Sequence, residues 1–349
     1  MISVSTQSIT ETTRVMSRMH VIVHGGAGRF YPERSLNKID PMSEAVEAAW
    51  EELVKGKPAE FAVVAALRIM EGDEHFNAGY GGYPNANGIV LQDIGLMRGS
   101  REFVSLLNVR RITYPSSVAL DMMRDGRSLM SVWTHELMQQ ADAADEFIKE
   151  RYGWVDSHDK LLSPHVLEML ARNQVEVGSS GGSHGTVGCV VCDSSGFFAA
   201  GTSTGGVNAK ENGRIGDTPI VGSGVFADNE ICALSTTGHG ETLLLGLLSG
   251  FIVSNIRTEL RKDANAFRHR PSLMEEILDQ EFSELSRKAP DKGGGLIVIP
   301  RGGMPRYQCN SEMISIGYRT GTRNSVAESD SFIHLKTGEK VRRIEDLNQ

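Results

Sequence analysis

Glu176-Val177-Gly178-Ser179-Ser180-Gly181-Gly182-Ser183-His184-Gly185-Thr186-Val187-Gly188 lies in the middle of a 349-residue chain, and its two halves behave differently. Up to Gly185 the run is mostly glycine and serine, which gives a peptide many backbone states and little to pack. It reads as a linker and not as a core element. From Thr186 to Cys192 the residues form an apolar run of strand length. A flexible peptide therefore runs straight into a threonine at the head of a buried strand. A small hydroxyl residue opening a strand is one sufficient reading. The other is that the Gly185–Thr186 bond is cut, leaving Thr186 with a free α-amino group beside its own hydroxyl, nucleophile and base in one residue.

Upstream of the linker, Met19 to Val23 is a short apolar run ended by His24-Gly25-Gly26-Ala27-Gly28, the pattern of a buried first strand and a tight glycine turn. Met42 to Lys55 and Ala59 to Met70 have helical spacing, with Ala45, Ala48, Ala49 and Leu53 on one face. Gly88 to Leu107 shortens to strand-length pieces broken at Gly95 and Gly99, helical pieces return from Ser116 to Glu150, and Ser163 is placed to cap a helix from Pro164 to Arg172. Downstream, Thr186 to Cys192, Phe197 to Ser203, Ile220 to Phe226 and Ile231 to Thr236 predict a meandering sheet. Thr242 to Asn255 and Ser272 to Leu285 predict helices, and Gly295 to Ile299 and Arg306 to Cys309 further strands. Sheets between helical layers are the expected class, α+β.

Composition narrows the function. A 40% hydrophobic and 23% charged share belongs to an ordinary folded chain, and a net charge of -8 offers no basic field for nucleic acid or anionic lipid. The best apolar stretch, Leu243 to Ile256, is interrupted by Gly246, Ser249, Gly250 and Ser254, so no membrane span is expected. The first 18 residues are polar and predict a disordered tail with no secretory signal. Four cysteines in so long a chain do not make a disulfide framework, which points to a reducing, cytoplasmic setting. Cys189 and Cys192 have a metal-like spacing, but two positions three apart on a strand face opposite sides, so no metal and no cofactor are expected.

Further motifs follow the junction in order: Ala200-Gly201-Thr202-Ser203-Thr204-Gly205-Gly206, Gly213-Arg214-Ile215-Gly216-Asp217-Thr218-Pro219, Ala227-Asp228-Asn229, and Ser235-Thr236-Thr237-Gly238-His239-Gly240-Glu241. With Gly185-Thr186-Val187-Gly188 they resemble the plant-type asparaginase and isoaspartyl peptidase family of N-terminal-nucleophile hydrolases. His24-Gly25-Gly26-Ala27-Gly28 and Phe76-Asn77-Ala78-Gly79 resemble that family's first-half motifs, so the resemblance runs from about residue 20 to about residue 318. It implies a four-layer αββα sandwich made as one precursor that cleaves itself into residues 19–185, after the tail, and residues 186–349. It also implies a homodimer of processed protomers acting on asparagine and isoaspartyl dipeptides.

The resemblance further implies roles. Thr186 is the nucleophile and its freed amine the base, Thr204 orients it, and Thr237 and Gly238 form the oxyanion hole. Arg214 and Asp217, with Gly240 beside them, clamp the substrate's α-carboxylate and α-ammonium, as a planar guanidinium and a carboxylate can. His24, Gly25, Gly26 and Asn77 support the site.

Rival patterns are weaker. Gly201-Thr202-Ser203-Thr204-Gly205 satisfies a serine-hydrolase pattern, but Val207 to Gly213 is a poor helix to follow a nucleophile elbow. His239-Gly240-Glu241 lacks the Pro-Cys of zinc deaminases, and the linker lacks the Gly-Lys-Ser/Thr ending of a phosphate loop. Glycosylasparaginases typically carry Thr-Asn-Gly where this chain has Thr204-Gly205-Gly206, which ranks glycosylated asparagine lower. An unprocessed relative that binds acidic amino acids or a protein partner remains the alternative of a different class. Two departures stand out: Arg98 in place of a family carboxylate in Met97-Arg98-Gly99, and the residues after Arg319, which match no known motif.

Overall fold

The computed structural model describes residues 18–132, 146–171 and 185–348; the tail through residue 17 and the linker through His184 lie outside the described residues. Strand β1 (Met19–Gly28) is buried along its whole length. Its side chains alternate between two cores: Met19, Val21 and Val23 enter one, Ile22 and Ala27 another. A strand covered on both faces needs a continuous apolar run, which is why Met19 to Val23 is legible as one.

The remaining strands are β2 (Gln92–Arg98), β3 (Phe103–Val109), β4 (Leu129–Val132), β5 (Val187–Cys192), β6 (Phe198–Thr204), β7 (Val225–Asp228), β8 (Cys232–Gly238), β9 (Gly294–Pro300), β10 (Arg306–Cys309), β11 (Met313–Thr322), β12 (Ser325–Leu335) and β13 (Lys340–Val341). They form a nine-stranded sheet in the order β13-β12-β11-β1-β5-β6-β2-β3-β4 and a four-stranded sheet in the order β10-β9-β8-β7. Pairing is antiparallel throughout except between β3 and β4.

The helices are α1 (Pro32–Leu36), α2 (Ile39–Val54), α3 (Ala59–Gly72), α4 (Pro115–Arg124), α5 (Glu146–Tyr152), α6 (Pro164–Ala171), α7 (Gly240–Gly246), α8 (Leu248–Lys262), α9 (Ala266–His269) and α10 (Leu273–Lys288). Helix α2 buries Met42, Ala45, Val46, Ala49, Trp50 and Leu53, one stripe at helical spacing. It joins α3 and α4 against the large sheet in a core that includes Val187, Cys189 and Val191. Ile22, Val190, Ile297 and Ile314 fill the space between the sheets, and Leu234 and Val298 meet Ile252, Ile256, Ile277 and Phe282 of α8 and α10 on the far side of the small sheet. This is a mixed α/β fold with sheets flanked by helices.

Several expectations change. The four strand-like runs after the linker do not form one meander: β5 and β6 join the large sheet, β7 and β8 the small one. Only Val225 and Phe226 of the expected Ile220 strand are extended, because Ile220 to Gly224 turns back on itself through Ser223 N and Gly224 N to Ile220 O. Gly95 does not break a strand but lies inside β2, where a Cβ would come within 2.7 Å of Val225 Cγ1 on the facing sheet. The stretch after Ser116 is helical only to Arg124 before β4 intervenes. The Thr242 helix is two, α7 and α8, divided at Leu247 with φ 49° and bent by 42°. Among the described residues no single helix is long and apolar enough to cross a membrane.

Ser163 does cap α6, accepting from Val166 N at 3.2 Å. The residues after Arg319, which carry no recognised motif, complete β11 and form β12 and β13, the outer edge of the large sheet. Cys189 and Cys192 face opposite cores, and all four thiols are free.

Candidate active site

Thr186 precedes β5, is 7% exposed, and donates its hydroxyl to Thr204 Oγ1 at 3.1 Å, at the end of the neighbouring β6. Thr204 Oγ1 also accepts from Gly206 N at 2.9 Å, so it ties the nucleophile candidate to the turn that follows β6. Asn77 brackets the same junction. Its backbone N–H donates to Gly185 O at 3.2 Å, its carbonyl accepts from Gly205 N at 2.9 Å, and its side-chain amide donates to Gly206 O at 2.6 Å. Its Oδ1 accepts from Tyr83 N. One asparagine therefore holds the peptide before Thr186 and the loop after Thr204 in fixed relation. Gly185 packs so closely that a Cβ there would lie 2.5 Å from Asn77 Cβ.

His24 is fully buried beneath Thr186, where a register shift in β1 between His24 and Ala27 turns the chain. Its Nδ1 is 3.1 Å from Thr186 O, and its Nε2 is 2.9 Å from Ser235 Oγ. A carbonyl only accepts, so the ring proton sits on Nδ1 and Nε2 accepts from Ser235. Burial pushes the imidazole pKa down to about 3, so this ring is neutral at working pH and braces the backbone. Gly188 opposite must be glycine: a Cβ would lie 2.2 Å from His24 Nε2 and 2.0 Å from Ser235 Oγ.

Thr186, Thr204, Asn77, Arg214, Asp217, Gly238 and Gly240 line one small cavity, together with Gly206, Val207, Gly216 and Thr218. Its free volume is only about 10 Å³, the room of a single water. A separate cleft of about 920 Å³ lies elsewhere and has none of these residues. Thr237, Gly25, Gly26 and His24 do not line the small cavity. Thr237 is buried, and its Oγ1 accepts from Ala27 N at 3.4 Å, which leaves its own proton to donate. Gly238 has φ 140° and lies against Gly294, where a Cβ would come within 2.5 Å of the partner Cα.

The expected Arg214–Asp217 clamp is built differently. Arg214 Nε and Nη2 each donate to the Glu241 carboxylate at 2.8 Å, so the ion pair is with Glu241. Those bonds hold the Glu241 pKa down to about 2. The end-on edge formed by Nη1 and the second Nη2 proton remains for a ligand. Asp217 is buried at the cavity wall, accepts from Thr236 Oγ1 at 2.8 Å on Oδ2, and burial pushes its pKa up to about 6. The two charged groups still converge, over Gly240. A Cβ there would stand 2.9 Å from Asp217 Oδ1 and 3.1 Å from Arg214 Nη2. His239 caps α7 through Nδ1, which accepts from Thr242 N at 3.3 Å.

Sequence reading missed the supports. Glu241 stands inside a quoted motif, and a carboxylate three residues after an oxyanion-type Thr-Gly pair was its only signal. Lys210 and Asp93 are fully buried with Nζ 3.6 Å from Oδ2, and Lys210 also donates to Leu91 O at 2.7 Å. Burial pushes the lysine pKa down and the aspartate pKa up. Asp93 faces Thr204 across the β2–β6 ladder, and Lys210 packs under Gly206, so the pair props the turn that carries the second threonine. Arg98 lies at the other end of β2, opposite Ala199 and near Glu60 and Glu102, about 16 Å along the strand from Asp93, so its replacement of a family acid does not touch the site.

The asparaginase family model matches residues 17–328. A probable isoaspartyl peptidase/L-asparaginase of Drosophila pseudoobscura is 33% identical over 296 residues, covering 81% of this chain and 88% of the relative. An isoaspartyl peptidase/L-asparaginase of Danio rerio is 32% identical over 289 residues, 81% and 86% of the two chains. A plant-type L-asparaginase of Pyrococcus abyssi is 35% identical over 238 residues, 64% and 75%.

Proposed function

The chain belongs to the asparaginase family of amidohydrolases, and on that premise we propose that it is a self-processing enzyme that hydrolyses L-asparagine and β-aspartyl dipeptides to release L-aspartate. The observation that carries this reading is the single cavity that draws Asn77, Thr186, Thr204, Arg214, Asp217, Gly238 and Gly240 together from five separate stretches of sequence. In this reading the helix-flanked pair of sheets is the four-layer αββα sandwich of N-terminal-nucleophile hydrolases.

Self-cleavage begins when Thr186 Oγ attacks the Gly185 carbonyl carbon. The oxygen that becomes negative already accepts from Asn77 N–H. The C–N bond breaks, the proton passes to nitrogen, and the resulting ester is hydrolysed by water. Gly185 leaves as a carboxylate and Thr186 gains a free amine. Departure of the preceding peptide also opens a cavity that is otherwise too small for a substrate.

In turnover the amine takes the Thr186 hydroxyl proton as oxygen attacks the side-chain carbonyl of the substrate. The Gly238 N–H and the Thr237 hydroxyl steady the oxyanion. The ammonium then protonates the leaving ammonia or peptide amine, and water hydrolyses the acyl-enzyme. Arg214 meets the α-carboxylate with its end-on edge, and Asp217 Oδ1 meets the α-ammonium. The four free thiols support a reducing, cytoplasmic compartment, and a homodimer of processed protomers is the assembly we infer.

Glycosylated asparagine is disfavoured because an asparagine at position 205 would put its Cβ 2.5 Å from Asn77 Oδ1 and 2.6 Å from Tyr83 N. Intact mass of the purified protein, with asparagine turnover measured on the same sample, tests the proposal. Fragments of residues 1–185 and 186–349 with turnover are expected. An uncut chain without turnover would leave the binding-protein alternative.

A further inference from the structure

The 920 Å³ cleft lies at the opposite end of β5 from the nucleophile: Cys192 lines it, six residues and about 20 Å from Thr186. It opens where the space between the two sheets reaches the surface, walled by the starts of β1 and β6, the turn before Phe198, the end of β9 and the segment entering α9. Its volume is in the range of small-molecule sites.

Three features give it a chemistry. Arg18, Arg268 and Arg301 all line it, and among the described residues none has a carboxylate partner. No acidic residue lines it either. Of the acids next to lining residues in sequence, Asp193 accepts from Ser195 N and Phe197 N in its own turn, Asp263 from Asn265 N and His269, and Asp228 pairs with Arg101, while Glu230 beside Asn229 is exposed to solvent. In a chain of net charge -8, three unpaired guanidinium groups at one opening form a local inversion of charge. Second, His20 lines the cleft, is 7% exposed, and its buried Nδ1 has no hydrogen-bond partner. It shares the inter-sheet face of β1 with Ile22 and stands opposite Cys192. Third, the wall is apolar beside the charges: Phe197 is 56% exposed at the rim, next to Ile299 and Met304.

We propose that this cleft is a binding site for a small organic phosphate, its dianionic head held by Arg18, Arg268, Arg301 and His20 and its apolar body lying on Phe197. Guanidinium forks match phosphate oxygens in paired hydrogen bonds, and the His20 ring stands in the same wall beside Arg18. Burial and Arg18 hold the His20 pKa down to about 4 when the cleft holds no anion, so an anion beside it has a direct spectroscopic consequence. The site is independent of the proposed catalysis, because no residue lines both cavities.

The test uses the full-length protein and phenyl phosphate, with inorganic phosphate and phenol as single-feature controls, followed by titration calorimetry and by NMR of the His20 imidazole. Phenyl phosphate should bind saturably at one site per chain and more tightly than either control, and it should raise the His20 pKa. The Arg268→Gln/Arg301→Gln variant should bind on the order of tenfold or more weakly, with its fragment pattern and asparagine turnover unchanged. Absence of saturable binding, equal binding by phenol, or undiminished binding in the variant would overturn the proposal. Competition with asparagine would place the phosphate at the Thr186 cavity and overturn it as well.

Discussion

In a Gly240→Ala variant the new methyl group would stand 2.9 Å from Asp217 Oδ1 and 3.1 Å from both Arg214 Nη2 and the Asp217 backbone nitrogen. Carbon contacts settle near 3.5–4.0 Å, so these groups must move or the methyl must occupy the space between them. Neither retreats freely, because Thr236 holds Asp217 Oδ2 and Glu241 holds the guanidinium. The space lost is where a substrate's α-carboxylate and α-ammonium would meet their partners. Losing one charge-assisted hydrogen bond costs about 1.5–3 kcal/mol, which is about ten- to a hundredfold in kcat/KM at 1.4 kcal/mol per decade. Gly240 opens α7 without a positive φ, so alanine strains no backbone there, but the enforced close contacts cost about 1–3 kcal/mol against a helix-propensity gain of at most about 1 kcal/mol, so Tm should hold or fall slightly. Self-cleavage needs no substrate carboxylate and should be untouched. Steady-state kinetics with asparagine and a β-aspartyl dipeptide, a denaturing gel and a melting curve read all three quantities. Unchanged KM for both substrates would refute the placement of the α-groups over Gly240.

Thr186→Ala should leave an intact, inactive chain on a gel, while Thr186→Ser, which keeps a hydroxyl, should still cleave slowly; full activity in the uncut alanine variant would remove Thr186 from the chemistry. Arg214→Lys should weaken turnover without affecting self-cleavage, because an ammonium cannot both pair with the Glu241 carboxylate in two bonds and present a planar edge. The acid limb of kcat/KM should follow the Thr186 amine, with a reference pKa of about 7.7–8.0, and survive His239→Asn, since asparagine also caps a helix; a vanished limb would make His239 the base. Asp217 is ionised only above its raised pKa of about 6, so KM should climb as pH falls through that value. The stability effect has the opposite sign. A raised folded pKa favours the folded state below the unfolded value of 3.8, an advantage lost as pH rises through about 6, so Asp217→Asn should melt higher than wild type at pH 8 and lose that margin near pH 4.

Strands buried on both faces were legible as continuous apolar runs and amphipathic helices by their spacing: β1, β5, α2, α3 and α10 fall close to where those two patterns put them. What sequence did not show is which sheet each strand enters. Strands β6 and β7 carry similar small and apolar residues, yet β6 pairs with β5 and β2 in the large sheet and β7 with β8 in the small one. The site divides in the same way. Thr186, Thr204, Asn77, Arg214 and Asp217 stand in motifs, and the structure draws them to one cavity. Glu241, Ser235, Lys210 and Asp93 act through partners distant in sequence, such as Ser235 on His24, 211 positions away, and no local pattern announces such a pairing.

The order of strands in the large sheet bears on what happens after a cut at Gly185. Strand β1 from the first fragment lies between β11 and β5 of the second, and β6 of the second is hydrogen-bonded to β2 of the first. The two fragments are threaded through one another at three seams of a single sheet, so cleavage releases no free subunit. Once melted apart, however, they are two molecules that must find each other, and refolding becomes second order in concentration. Dilution that leaves the uncut chain able to refold should strand the cut one, so in the proposed self-cleavage the sheet has to be complete before the Gly185–Thr186 bond is severed.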